Sequence, residues 1–110
     1  MSLTDIVDIS HEWELELLTV GYMGTSVVLF TAPAWCHPCQ NLEPHFIKAA
    51  EAMPDITFIK VDVDTADPAF VGSWGVQGVP QMFRLDNGKL AGSVKGRTVV
   101  QLIGELNGIR

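Results

Sequence analysis

Cys36 and Cys39, three residues apart, are the only two cysteines in the chain and the side chains best suited to do chemistry. In the first turn of a helix, Cα atoms at i and i+3 lie roughly 5–6 Å apart, inside the ~4.4–6.8 Å that a disulfide tolerates. The pair could therefore close and reopen with little backbone movement. If Cys36 caps a helix beginning His37, Pro38, Cys39, then Pro38 has no amide hydrogen to donate and the Cys39 N–H turns toward the Cys36 sulfur. That amide, with the positive helix end, favours the thiolate and draws the Cys36 pKa below the free value of about 8.5. Cys36 is then the attacking nucleophile. Cys39, one turn inward and more shielded, attacks the mixed disulfide and releases the product. His37 flanks the nucleophile and, when protonated, would favour the thiolate further and make the pair more oxidising.

The same cysteines admit duller uses. A structural staple closing so short a loop removes little entropy from the unfolded chain and would stabilise it weakly. A zinc site would have to recruit His37 or His45, and no second ligand pair stands at a recognisable spacing, so no metal is expected. His11 and His45 carry no assigned role, and Trp13 and Trp74 read as packing residues. In Asp62-Val63-Asp64 acid alternates with an apolar residue, which describes a strand end reaching solvent better than a metal site.

The elements that must position the dithiol follow from periodicity. Val27-Val28-Leu29-Phe30 is a continuous apolar run, the pattern of a central strand buried on both faces, and it leads straight into the cysteines. Beyond them Leu42, Phe46, Ala49, Ala50 and Met53 repeat at helical spacing, with a kink expected at Pro44. Residues 3–9 alternate as a first strand. Ser10 is placed to cap a helix with Glu12 and Glu14 in its opening turn and Trp13, Leu17 and Leu18 on its apolar face. Ile56 to Asp64 reads as a strand, and Asp67-Pro68 opens a short helix ending near Trp74. Gln81–Leu85 and Leu90–Val94 flank the turn Asp86-Asn87-Gly88-Lys89 and make a hairpin, so the sheet must be mixed. Thr98 caps a last helix bearing Val99, Leu102, Ile103 and Leu106. The order is βαβαβαββα.

At 110 residues the chain suits one domain, residues 1–110, with a core of its own and no need of a partner to fold. Thirteen acidic against seven basic residues give a net charge of −6, and the first basic residue is Lys48. Such a surface repels nucleic acid and anionic lipid. The amino terminus lacks a basic n-region with an apolar h-region, and no stretch approaches the ~18 apolar residues of a membrane helix, so a cytoplasmic monomer is expected.

Three segments together resemble the thioredoxin family over nearly the whole chain: Ala34-Trp35-Cys36-His37-Pro38-Cys39, Pro44 within the long helix, and Gly75-Val76-Gln77-Gly78-Val79-Pro80. The resemblance implies an α/β, thioredoxin-like fold with a central mixed β-sheet of about five strands flanked by about four helices. It implies a protein-disulfide reductase working through a reversible Cys36–Cys39 dithiol, with disulfide-containing proteins as substrates. No bound cofactor is implied; reducing equivalents would come from NADPH through a separate thioredoxin reductase, or from glutathione. By the same resemblance Val79–Pro80 is a cis peptide facing the dithiol, against the general preference of X–Pro bonds for trans. The Val79 backbone would pair with extended substrate, Trp35 would shield the nucleophile, Gly96 would line the groove, and His37 and Pro38 would tune the site.

Two departures from the family pattern bear on mechanism. His37 stands where glycine is usual. Six residues before Cys36, where thioredoxins usually bury an aspartate that helps deprotonate the resolving cysteine, this chain has Phe30. Lys60 occupies the place of that aspartate's usual partner and reads as a lysine snorkelling to solvent. A slow or strongly pH-dependent resolving step is expected unless water or His37 serves as base. A more oxidising disulfide oxidant or isomerase, a glutaredoxin-like enzyme, and a non-redox binding module stand as alternatives.

Overall fold

The computed structural model describes residues 6–21 and 23–108. Nine elements run in the order β1 (Ile6–Ile9), α1 (Glu12–Thr19), β2 (Thr25–Thr31), α2 (His37–Ala52), β3 (Thr57–Asp62), α3 (Pro68–Ser73), β4 (Gln81–Asp86), β5 (Lys89–Val94) and α4 (Val99–Gly108). This is the order expected from the pattern. The expected strand over residues 3–9 falls partly outside the described residues, and the third strand is shorter than Ile56–Asp64.

The five strands lie side by side as β1-β3-β2-β4-β5. β3 pairs in parallel with β1 and β2, whereas β4 runs antiparallel to both β2 and β5. β2 is central, and its Val27–Phe30 run is 0–1% exposed because both faces are covered. On one face Leu42 and Phe46 of α2 and Leu102 and Leu106 of α4 pack against Val27, Leu29, Phe58 and Met82. On the other, Leu15 of α1 and Phe70 of α3 pack against Val28, Phe30, Ile59, Val61 and Phe83. A β-strand sends successive side chains to opposite faces, so β2 alone anchors both layers.

The β4–β5 hairpin turns on Asn87 (φ 54°) and Gly88 (φ 80°), the two left-handed positions of a tight two-residue turn. Gly88 is also held by space: a Cβ there would come within 2.8 Å of the Thr19 carbonyl oxygen. The β4–β5 register slips between Arg84 and Leu85, and the residues of β5 from Lys89 to Ser93 are exposed.

The first helix departs from expectation in two ways. Its cap is His11, not Ser10; the Glu14 carboxylate reaches back to accept from the backbone amides of Ser10 (2.8 Å) and His11 (3.0 Å). Those bonds, the Ser10 amide foremost, hold the Glu14 carboxyl below the usual carboxylate range. Further, Trp13 and Leu17 are 57% and 74% exposed, and Trp13 stacks on His11 instead of entering the core. The helix has a second apolar stripe, and it is Leu15, Leu18 and Thr19 that face the sheet.

Candidate active site

β2 ends at Thr31 and a short loop delivers Cys36 to the start of α2, so a buried strand fixes where the first sulfur sits. Cys36 adopts extended backbone (φ −89°, ψ 108°) as the helix cap, and Pro38 takes an early helical position where no amide is needed. The Cys39 N–H donates to the Cys36 Sγ at 3.2 Å, the capping bond expected from the spacing. The two cysteines are joined as a disulfide with Cα atoms 5.2 Å apart. α2 then runs through Pro44 to Ala52.

The second wall of the site comes from the α3–β4 connection. The Val79–Pro80 peptide is cis, and the Val79 carbonyl oxygen lies 3.8 Å from the Cys36 Sγ. Val79 also packs, with Val63, against the small buried group formed by Ala32, Cys36 and Cys39. The two cysteines thus sit under an apolar cover, 4% and 1% exposed. Trp35, beside the nucleophile, is 62% exposed, and its indole N–H donates to the Asp64 carboxylate at 2.8 Å. His37 and Pro38 are exposed on the rim.

Gly96 is buried under α4: a Cβ there would meet the Leu102 amide nitrogen at 3.0 Å. Its own N–H donates to Glu105 at 2.8 Å. The absent side chain is what lets the loop after β5 lie against the helix.

Phe30 and Lys60 fall on opposite faces of the sheet. Phe30 is packed among Phe70, Trp74 and Phe83, with ring centroids 5.8–5.9 Å away, so no acid is buried there. Lys60 does not simply snorkel to water. Its ammonium is held by Glu43 at 2.8 Å, with Asp8 at 3.9 Å, and its side chain is only 20% exposed. Glu43 lies four residues after Cys39 on α2, one helical turn further along. Sequence reading passed over Glu43; its one visible signal was that i+4 spacing from the inner cysteine. Another residue passed over is His45, whose Nδ1 accepts the backbone N–H of Val99 at 3.0 Å and ties α2 to the start of α4. Among the described residues no group of three or more His, Cys, Asp or Glu is arranged to hold a metal ion.

A disulfide at a helix start, with a backbone carbonyl facing the outer sulfur, is the arrangement of a thiol–disulfide oxidoreductase site. The thioredoxin family model matches residues 7–107. Thioredoxin H1 of Arabidopsis thaliana is 31% identical over 84 residues, which cover 76% of this chain and 73% of that protein. An H-type thioredoxin of Ricinus communis is 38% identical over 73 residues, 66% of this chain and 60% of its own length. Among solved structures, a thioredoxin from Trypanosoma brucei brucei superposes with a TM-score of 0.83 at 28% identity, covering 96% of this chain and 91% of that one. The chain belongs to the thioredoxin family, and its Cys36–Cys39 pair makes it a thiol–disulfide oxidoreductase.

Proposed function

We propose that the chain works in the reducing direction, on disulfides of other proteins. In the reduced state the Cys36 thiolate attacks one sulfur of a substrate disulfide, forming a mixed disulfide and expelling the other substrate sulfur as a thiolate. Cys39 loses its proton and attacks the Cys36 sulfur. The second substrate thiolate leaves, and the Cys36–Cys39 disulfide remains. Two electrons have passed to the substrate, and they must be replaced from outside. A separate thioredoxin reductase using NADPH is the proposed donor, glutathione the alternative, with no cofactor bound to this chain. A cytoplasmic monomer fits this role, because a reducing compartment keeps the dithiol charged with electrons.

The exchange chemistry is carried by the Cys39 amide on the Cys36 sulfur, 3.2 Å, with the Val79 carbonyl at 3.8 Å, and the likeness to thioredoxins supports the reducing direction. The first stabilises the attacking thiolate, and the second marks where an extended substrate backbone can lie against the site. The measurement is the Cys36–Cys39 reduction potential at equilibrium with glutathione, with NADPH-coupled turnover by a thioredoxin reductase in the same samples. A value near about −270 mV with turnover supports a reductase. A value near about −180 mV or above, without turnover, overturns it in favour of an oxidant or a glutathione-recycled enzyme. The exposed His37 beside Cys36 is the feature that would favour the oxidising outcome.

A further inference from the structure

On the α2 flank of the dithiol lies a cleft of about 300 Å³ lined by Pro38, Asn41, Leu42, His45 and Arg97. Arg97, itself exposed, forms part of its wall. Its Nη1 donates to the carbonyls of Lys95 (3.1 Å) and Gly96 (3.0 Å), and its Nη2 reaches the Pro80 carbonyl at 3.5 Å. Its backbone N–H is bound by the Gln101 side chain at 2.9 Å. These partners are neutral, and among the described residues no carboxylate pairs with the guanidinium. Glu105, the nearest acid in the loop's own network, is occupied by the Lys95 and Gly96 amides. A guanidinium has five N–H donors in a rigid fork, so two remain for an outside acceptor.

His45 adds to this. Because its Nδ1 accepts the Val99 N–H, its neutral ring carries the proton on Nε2 and offers a second donor. An otherwise acidic chain of net charge −6 thus presents, near its reactive sulfurs, a cation whose partners among the described residues are neutral carbonyls.

Register connects the cleft to the chemistry. The Val79 carbonyl faces the Cys36 sulfur, and the next carbonyl along, that of Pro80, carries Arg97. An extended substrate strand advances about 3.3 Å per residue. A substrate whose cysteine lies on Cys36 therefore has its flanking residues beside the stretch of chain that holds the guanidinium. We infer that Arg97, supported by His45, forms a carboxylate subsite that favours disulfides carrying an acidic group beside the reacting cysteine. The inference rests on the reductase reading and names its preferred substrates.

The test uses peptide disulfides identical but for one residue next to the cysteine, Glu, Gln or Lys, together with glutathione disulfide. Rates are measured with the full chain and with Arg97→Gln and Arg97→Lys. The expected result is a preference of about three- to tenfold in kcat/KM for the Glu over the Gln peptide, expressed in KM. Screening should abolish it near 1 M salt, where the Debye length is about 3 Å. Arg97→Gln should erase the preference and Arg97→Lys should restore part of it, a pattern that a purely structural role for Arg97 would not give. The same Arg97 dependence on the Glu peptide assigns the subsite to protein acids; on glutathione disulfide alone, it assigns the subsite to the tripeptide's carboxylates. Equal rates for Glu and Gln peptides together with no Arg97 dependence on glutathione disulfide, or a preference unchanged in Arg97→Gln, overturn the subsite. Failure of the unmodified chain to reduce even the Gln peptide would instead overturn the reductase reading.

Discussion

The two ends of the central sheet are built on opposite principles. At the end where β2 leads into α2, the sulfurs are surrounded by backbone groups and apolar side chains: the Cys39 amide, the Val79 carbonyl, Ala32 and Val63. At the far end a charged side chain is buried. Arg84 of β4, 8% exposed, donates to Asp86 (3.0 Å), to the Leu106 carbonyl near the end of α4 (3.1 Å) and to the Thr25 hydroxyl (3.5 Å). One cation thereby fastens β2, β4 and α4 together and donates to a carbonyl in the last turn of a helix. The reactive end relies on groups whose charge is set by the reaction, and the far end relies on a permanent charge. Chemistry and fastening are thus kept apart along β2.

Substitutions can break that separation or sharpen it. Cys36→Ser should lower disulfide-reduction rates by at least about 10³-fold, since no other nucleophile stands in its place. Its midpoint in urea should barely move, because the four-residue loop it opens contributes little to stability. A large loss of stability there would merge the two roles. Arg84→Ala should do the reverse and cost about 2–4 kcal/mol by stranding the Leu106 carbonyl and removing a packed stem. Turnover per folded molecule should stay within about twofold, and urea titration paired with rate measurements at low denaturant reads both. The smallest effect belongs to Ser26, fully buried in β2 beside Thr25, whose hydroxyl has no hydrogen-bond partner among the described residues. Ser26→Ala should raise stability by about 0.5–1 kcal/mol, because an unpartnered buried hydroxyl costs more than the methyl that replaces it. A loss of stability would mean that the far end depends on that hydroxyl as well.

The reactive end was legible in the sequence because its geometry is local. The capping bond from the Cys39 amide to the Cys36 sulfur follows from a three-residue spacing and a proline. The hairpin follows from Asn87-Gly88, and the βαβαβαββα order from hydrophobic period. What the sequence hid is contact between elements far apart in the chain. Arg84 looks like the polar residue of an alternating strand, and only the approach of α4's end from 22 residues away gives it a partner. Lys60 looked free for the same reason, since Glu43 reaches it across the space between α2 and β3. The face of α1 was misjudged for a different cause. In Glu12-Trp13-Glu14-Leu15-Glu16-Leu17-Leu18, two apolar stripes compete, and eight residues are too few for period alone to choose between them.

The slipped register between Arg84 and Leu85 reaches beyond the hairpin that contains it. A sheet that ends in an exposed strand runs a standing risk of accepting its own kind along that margin. β5 is one of the two edge strands, β1 the other, and it is exposed from Lys89 to Ser93. An interrupted ladder with a lysine at its start is a poor template for a further strand. Along the β5 side of the sheet, copies of the protein find no straight border on which to pair.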